Sequence, residues 1–183
     1  MSSNNNNPNS TNRRVRRRLN PVPFNLTSIN KNAKWIVKSG YRSSGILRTY
    51  YTNLPREIGL FTRLESLYIQ KHKFTWLPKE IGNLKNLKEL NLPLGNLQSL
   101  PPQIGNLKNL EELKLDNNKL RTLPKEIGLC KNLKKINLNG NMMVSLPKEI
   151  GNLKKLEKLS FDDNVLTSLP KEIGNLKNLK VLD

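Results

Sequence analysis

Residues 77–87 read LPKEIGNLKNL, and this stretch recurs along the chain with few changes. Its opening Leu-Pro pair returns every 23 residues, and an Ile-Gly pair keeps the same phase four residues after each leucine. The six pairs are Leu54-Pro55, Leu77-Pro78, Leu100-Pro101, Leu123-Pro124, Leu146-Pro147 and Leu169-Pro170. A fixed period of this length is the signature of a solenoid, in which each short unit buries its apolar face only by stacking on its neighbours.

The apolar spacing within one unit predicts its local structure. Because side chains alternate along a strand, Leu113 and Leu115 lie on the same face of a short strand. The apolar residues of IGNLKNL are three apart, which suits a tight 3-10 turn better than an α-helix. Pro78 fixes φ where the chain leaves the strand, and we expect Gly82 to supply conformational freedom where the chain turns.

The full pattern, L-x-x-L-x-L-x-x-N-x-L, resembles the leucine-rich repeat family, in the 23-residue class found in intracellular Ras-group and bacterial repeat proteins. The resemblance covers residues 41–183 as six units and a truncated seventh. These begin at Tyr41, Leu64, Leu87, Leu110, Leu133, Leu156 and Leu179. It implies an α/β solenoid with a curved parallel sheet on the concave side and short 3-10 turns on the convex side. It also implies a non-enzymatic scaffold for signal transduction that binds another protein, such as a small GTPase.

The asparagine position of the repeat forms a column that is only half filled. In order it reads Thr49, His72, Gly95, Asn118, Asn141 and Asn164. We therefore expect a buried asparagine ladder in the last three units, a looser first half, and some compensation by Asn96 beside Gly95. His72 in this column indicates a structural hydrogen bond, and Cys130, in a column of leucines, indicates a small core residue.

The concave face provides the candidate partner-binding surface, because repeat proteins usually recognise partners with variable side chains on a rigid curved sheet. The candidates are Tyr68, Gln70, Asn91, Lys114, Asp116, Asn137, Asn139, Ser160 and Asp162. Trp76 occupies a column of small polar residues and is either a further contact or local packing. An outer column alternates in charge and indicates a register-setting ladder: Arg42, Glu65, Lys88, Glu111, Lys134, Glu157 and Lys180.

The sequence carries no catalytic motif, and we expect neither enzyme activity, nor a metal site, nor a cofactor. Asp116 and Asp162 would lie two coils apart, about 10 Å, which is too far for convergent ligands. The single cysteine excludes an internal disulfide framework and suits a reducing compartment. No apolar run is long enough for a membrane span. We expect an intracellular, cytoplasmic protein, with the nucleus as the alternative location.

Much of the net charge of +18 lies near the N-terminus, where residues 1–53 contain ten Lys or Arg and no acid. Residues 1–26 are expected to be a disordered Asn/Ser-rich and Arg-rich tail, and residues 27–40 a helix, started by Ser28, that caps the solenoid. The basic cluster comprises Arg13, Arg14, Arg16, Arg17 and Arg18. It indicates a weak polyanion-binding segment or a solvated tail. The alternative function is therefore association with anions or nucleic acid through this basic segment.

Overall fold

The computed structural model describes residues 53–183, together with the backbone of a strand at residues 35–39. Seven strands form one parallel sheet in chain order. The strands are β1 (Trp35–Ser39), β2 (Ser66–Gln70), β3 (Glu89–Asn91), β4 (Glu112–Lys114), β5 (Lys135–Asn137), β6 (Lys158–Ser160) and β7 (Val181–Leu182). Short 3-10 turns alternate with them: η1 (Arg56–Leu60), η2 (Lys79–Asn83), η3 (Pro102–Asn106), η4 (Lys125–Leu129), η5 (Lys148–Asn152) and η6 (Lys171–Asn175). The predicted solenoid of parallel strands and 3-10 turns is confirmed.

The leucines and isoleucines of the repeat form one continuous core. In the fourth unit, Leu110, Leu113, Leu115 and Leu120 have no exposed surface. Cys130 is buried in the same core, where its Sγ donates to the Ile104 carbonyl at 3.2 Å. Burial raises the pKa of this thiol to about 11, so it stays protonated, as expected of a core cysteine.

The proline of each unit starts the 3-10 turn. Pro78 adopts φ −66° and ψ 148°, and its carbonyl accepts a hydrogen bond from the Ile81 amide at 3.0 Å. The turn continues with Leu84 N donating to Ile81 O at 3.2 Å. Proline fits this position because its fixed φ is required there while no amide hydrogen is needed.

The predicted role of the Ile-Gly glycine is wrong. Among the described glycines only Gly140 has a positive φ, so Gly82 does not provide an unusual turn conformation. Instead, successive turns approach closely. A Cβ placed on Gly82 would lie 2.7 Å from the Gln103 carbonyl oxygen, and one on Gly128 would lie 2.5 Å from that of Glu149. Glycine is required because the backbone of the next coil occupies the space of a side chain.

The first strand corrects the expectation for residues 27–40. Residues 35–39 form β1 and not part of a capping helix, and β1 pairs in parallel with β2. The Trp-Ile-Val sequence favours a strand, and pairing satisfies the edge of β2. Trp35 lies opposite Ser66, an offset of 31 residues in place of the usual 23, so Val37 aligns with Tyr68. The rest of the predicted helix, the tail of residues 1–26 and residues 41–52 lie outside the described residues.

The asparagine ladder forms in the last three units, as expected. Asn118 Oδ1 accepts from the Leu97 amide at 3.0 Å, and its Nδ2 donates to the carbonyls of Leu92 and Leu115 at 2.8 and 3.0 Å. Asn141 and Asn164 repeat this arrangement one and two coils further on. The side chains thereby satisfy buried backbone groups of two neighbouring coils.

Between the second and third units, the imidazole of His72 takes the place of an asparagine amide. Its Nδ1 accepts from the Phe74 amide at 3.3 Å, and its Nε2 lies 3.2 Å from the Leu92 carbonyl. The ring fits because Gly95 has no side chain: a Cβ there would lie 2.0 Å from His72 Cε1. His72 therefore fills the role expected of Asn96, and the structural interpretation of this histidine is confirmed.

A second asparagine ladder, which we did not predict, runs along the start of the strands. Each member donates from Nδ2 to a backbone carbonyl of the preceding coil, at distances of 2.6 to 2.8 Å. The members are Asn86, Asn109, Asn132 and Asn178. The two ladders thus place side-chain hydrogen bonds between coils both before and after the strands.

Candidate partner-binding surface

The sheet register aligns the central candidates across the concave face. Tyr68 lies opposite Asn91, Asn91 opposite Lys114, Lys114 opposite Asn137, and Asn137 opposite Ser160. Neighbouring strands in a sheet are about 4.8 Å apart, so these side chains form one continuous row.

Polar side chains beside this row are held by hydrogen bonds to each other and to the backbone. Asn137 Nδ2 donates to Asp116 Oδ1 at 3.4 Å, and Asn137 Oδ1 accepts from the Asn139 amide at 3.0 Å. Asn139 Oδ1 in turn accepts from the Asp162 amide at 3.0 Å. These side chains are consequently oriented before any partner arrives, which reduces the entropy lost on binding.

The candidates differ in accessibility. Lys114 and Asp162 are exposed, and Tyr68, Gln70, Asp116, Asn137 and Asn139 are half-buried. Ser160 is only 1% exposed, because its Oγ donates to Asp183 at 3.0 Å and lies beneath that residue. A partner could touch Ser160 only after displacing Asp183.

Asn91 is the least satisfied polar residue of the row. It is 9% exposed, and its Oδ1 is buried and accepts no hydrogen bond. Its neighbour Glu89 is exposed and accepts from the Ser66 hydroxyl at 3.1 Å. Glu89 was not among the predicted site residues, although it lies two residues before Asn91 on the same face of β3.

Charges on the concave face are arranged as local pairs. The ammonium of Lys114 contacts the Glu112 carboxylate, and this contact raises the pKa of Lys114 above its usual value. Lys135 lies 4.0 Å from the same carboxyl group, and Lys158 lies 3.1 Å from Asp183. An acidic half at β3 and β4 therefore meets a basic half at β5 and β6.

The outer charged column forms ion pairs between coils, each lysine reaching the glutamate of the preceding coil. The Nζ–Oε2 distances are 3.0 Å for Lys88–Glu65, 2.7 Å for Lys134–Glu111 and 2.8 Å for Lys180–Glu157. The hydrogen bond from Lys134 lowers the pKa of Glu111. These exposed pairs support the register more than they stabilise the fold.

Trp76 is 55% exposed, so its side chain is not part of the buried core. The arginines at positions 13, 14, 16, 17 and 18 lie outside the described residues.

Nothing in the described part of the chain indicates catalysis. Residues 53–183 contain no group of three His, Cys, Asp or Glu side chains that could hold a metal ion. The described residues also include no helix with the length and apolar character needed to cross a membrane.

Comparisons with known proteins agree with this architecture. A family model described as a leucine-rich repeat region matches residues 79–183. The comparison with curated proteins finds no match. Among solved structures, a leucine-rich repeat protein of Leptospira interrogans is 42% identical with a TM-score of 0.51, covering 72% of this chain and 39% of that protein.

Two plant receptors are also similar. The plant peptide hormone receptor RGFR1, in complex with RGF2, is 36% identical with a TM-score of 0.63, covering 81% of this chain and 25% of the receptor. The ectodomain of the receptor kinase GASSHO1/SCHENGEN3 from Arabidopsis thaliana, in complex with CASPARIAN STRIP INTEGRITY FACTOR 2, is 29% identical with a TM-score of 0.64. That match covers 74% of this chain and 18% of the receptor. The chain thus spans well under half the length of these proteins.

Proposed function

The chain belongs to the leucine-rich repeat family, and from that premise we propose that it is a non-enzymatic scaffold that binds a protein or peptide along its concave face. The contact residues in this proposal are Tyr68, Gln70, Lys114, Asp116, Asn137, Asn139 and Asp162. Asn91 is a buried member of the same row, and Trp76 is a further contact outside the strands. The similar plant receptors, solved in complex with CASPARIAN STRIP INTEGRITY FACTOR 2 and, for the peptide hormone receptor RGFR1, with RGF2, support this class of ligand.

The observation that carries the proposal is the contrast between the two faces of the same repeat. The convex turn is Lys-Glu-Ile-Gly-Asn at Lys79–Asn83, Lys148–Asn152 and Lys171–Asn175, and the other three turns keep its central Ile-Gly with changes beside it. The aligned concave positions Tyr68, Asn91 and Lys114 differ in size, charge and aromatic character. Stacking alone requires uniform units, so the varied face is the one suited to recognising a specific partner.

A matched pair of substitutions tests the proposal. Lys114→Glu reverses a charge on the concave face, and Lys125→Glu makes the same change on the convex turn η4. Quantitative affinity capture should recover a set of proteins with the wild-type chain and with Lys125→Glu, but lose it with Lys114→Glu. Equal recovery by both variants, or loss with Lys125→Glu alone, would contradict binding through the concave face.

The second candidate function is association with polyanions through the basic cluster at positions 13–18, which five arginines within six residues favour. Counterion release predicts that duplex DNA binding weakens with salt with a log–log slope of about −4 to −5 if all five take part. Replacing the five arginines by glutamine should abolish that binding and leave capture by the concave face unchanged. No binding at low salt would eliminate this function.

Two further parts of the proposal concern the partner, which rests on family analogy alone, and the location, which the single cysteine favours. The partner would be a signalling protein such as a small GTPase, and the location cytoplasmic, with the nucleus as the alternative. Fluorescence microscopy of the tagged full chain tests the location, and a purely extracellular signal would contradict it.

A further inference from the structure

The strongest unexplained feature of the concave face is the buried amide of Asn91. A buried carbonyl oxygen without a donor loses its hydration and receives nothing in exchange, which is costly. No side-chain hydrogen bond joins Asn91 to another described residue, and its Oδ1 is buried. Exchanging the amide oxygen and nitrogen would not remove the cost, since an unpaired N–H group would then be buried. The side chain is suited to a hydrogen bond that something outside the chain must supply.

The groups around this amide indicate a positively charged donor. Glu89 lies on the same face of β3 and forms no ion pair within the described residues; its carboxylate accepts only the Ser66 hydroxyl, at 3.1 Å. Lys114, the lysine of the row, forms its ion pair with Glu112, and Glu89 acts on it only as a more weakly interacting charge. The Glu89 carboxylate therefore faces solvent, and beside it on the same strand lies a buried acceptor that has no donor.

Tyr68 completes the site on the neighbouring strand. Tyr68 lies directly opposite Asn91, and Ser66 lies opposite Glu89, so these four residues of β2 and β3 are neighbours on the concave face. The Tyr68 hydroxyl donates to Gln70 Oε1 at 2.9 Å, which holds the ring along β2. An aromatic ring fixed beside a carboxylate offers a face to a flat cation.

We propose that this patch, formed by Tyr68, Glu89 and Asn91, binds an arginine side chain of the partner. The guanidinium stacks on the Tyr68 ring and pairs with the Glu89 carboxylate. The Asn91 side chain turns so that its Oδ1, buried in the free protein, accepts a hydrogen bond from the same group. Arginine fits better than lysine because its planar group can stack and also donate in two directions at once. This inference rests on the proposed binding function and specifies the chemistry of the partner.

A random linear peptide library selected against the full 183-residue chain provides the probe. We expect the concave-face binders to be enriched in arginine at one position. For such a peptide, Glu89→Gln in the protein should weaken binding about tenfold or more, the effect of losing one charged hydrogen bond. Glu57→Gln, the same change at an exposed acid of the convex turn η1, should alter binding less than about twofold.

Asn91→Leu separates binding from folding. Because the substitution removes an unpaired buried amide and keeps the same branching at Cγ, the thermal midpoint should be equal to or higher than that of the wild type. Affinity for the arginine peptide should nevertheless fall. Replacing the peptide arginine by glutamine should weaken binding to the wild type and have little further effect on Glu89→Gln.

The outcomes are distinct. Concave-face peptides that lack arginine, that carry lysine in its place, or that bind Glu89→Gln as tightly as the wild type would overturn the arginine site and leave the scaffold function standing. Peptides that bind only to convex turns, or no selectable peptide at all, would overturn both.

Discussion

Acidification should destabilise the solenoid through His72, because this histidine is buried in its neutral form. The ring is 2% exposed, with Nδ1 accepting from the Phe74 amide and Nε2 placed to donate to the Leu92 carbonyl. A second proton would have to enter at Nδ1, against an N–H group. Burial lowers the pKa of His72 from 6.5 to about 4, although the Leu92 hydrogen bond opposes the shift.

The sign of the effect follows from the two pKa values. As the pH falls below 6.5, the unfolded chain takes up a proton that the folded chain does not accept until about pH 4. The stabilisation is therefore complete above pH 6.5 and is lost progressively down to about pH 4. At about 1.36 kcal/mol per pKa unit, the full loss is about 3 kcal/mol, of which about 2 kcal/mol falls between pH 7 and pH 4.5.

Urea denaturation at these two pH values, on the wild type and on a double variant, isolates the contribution of His72. In the double variant, His72→Asn and Gly95→Asn place asparagines at both of these positions of the asparagine ladder. Both residues must change because the His72 ring occupies the space that a side chain at position 95 would need. Since the carboxylates titrate in both proteins, the wild type should lose about 2 kcal/mol more than the double variant on going to pH 4.5. Equal losses in the two proteins would refute the assignment of a neutral, buried imidazole.

Three stability predictions can be checked by the same urea titrations at neutral pH. Gly128→Ala should be less stable than Gly174→Ala by about 1–3 kcal/mol. A Cβ at Gly128 would lie 2.5 Å from the backbone of the next coil, whereas a Cβ at Gly174 would meet nothing within 4 Å. Equal stability of the two variants would remove close packing as the reason for glycine. Leu94 has a left-handed φ of 57°, so Leu94→Asn should stabilise the chain by about 1 kcal/mol, and a loss of stability would show that the leucine contributes more than the strain costs. Asn118→Ala should cost about 1–3 kcal/mol by leaving buried backbone groups unpaired, and Lys114→Ala under about 0.5 kcal/mol; the reverse order would contradict the ladder.

The repeat period alone was sufficient to predict the sheet, the 3-10 turns and the first asparagine ladder, because each follows from local spacing that every unit repeats. The period did not predict the first strand, because Trp35–Ser39 pairs with β2 at an offset that differs from the repeat length. The Trp-Ile-Val sequence there favours a strand, but the pairing with β2 that makes it one cannot be seen from the spacing of the repeat.

Other errors came from contacts between coils, which no single unit contains. The glycine of the Ile-Gly pair is required by the backbone of the following coil, and the ladder from Asn86 to Asn178 by carbonyls of the preceding one. The recurrence of an asparagine at that position was the signal for the second ladder. The burial of Ser160 under Asp183 and the unpaired amide of Asn91 depend on side-chain conformations that column positions do not specify.

The concave face as the binding surface is the central claim, and cross-saturation NMR on the full chain with a selected peptide tests it most directly. Saturating the peptide should attenuate backbone amides of β2, β3, β4 and β5, with the turns η2 to η5 unaffected. Attenuation confined to the turns, with the strand amides unchanged, would contradict it.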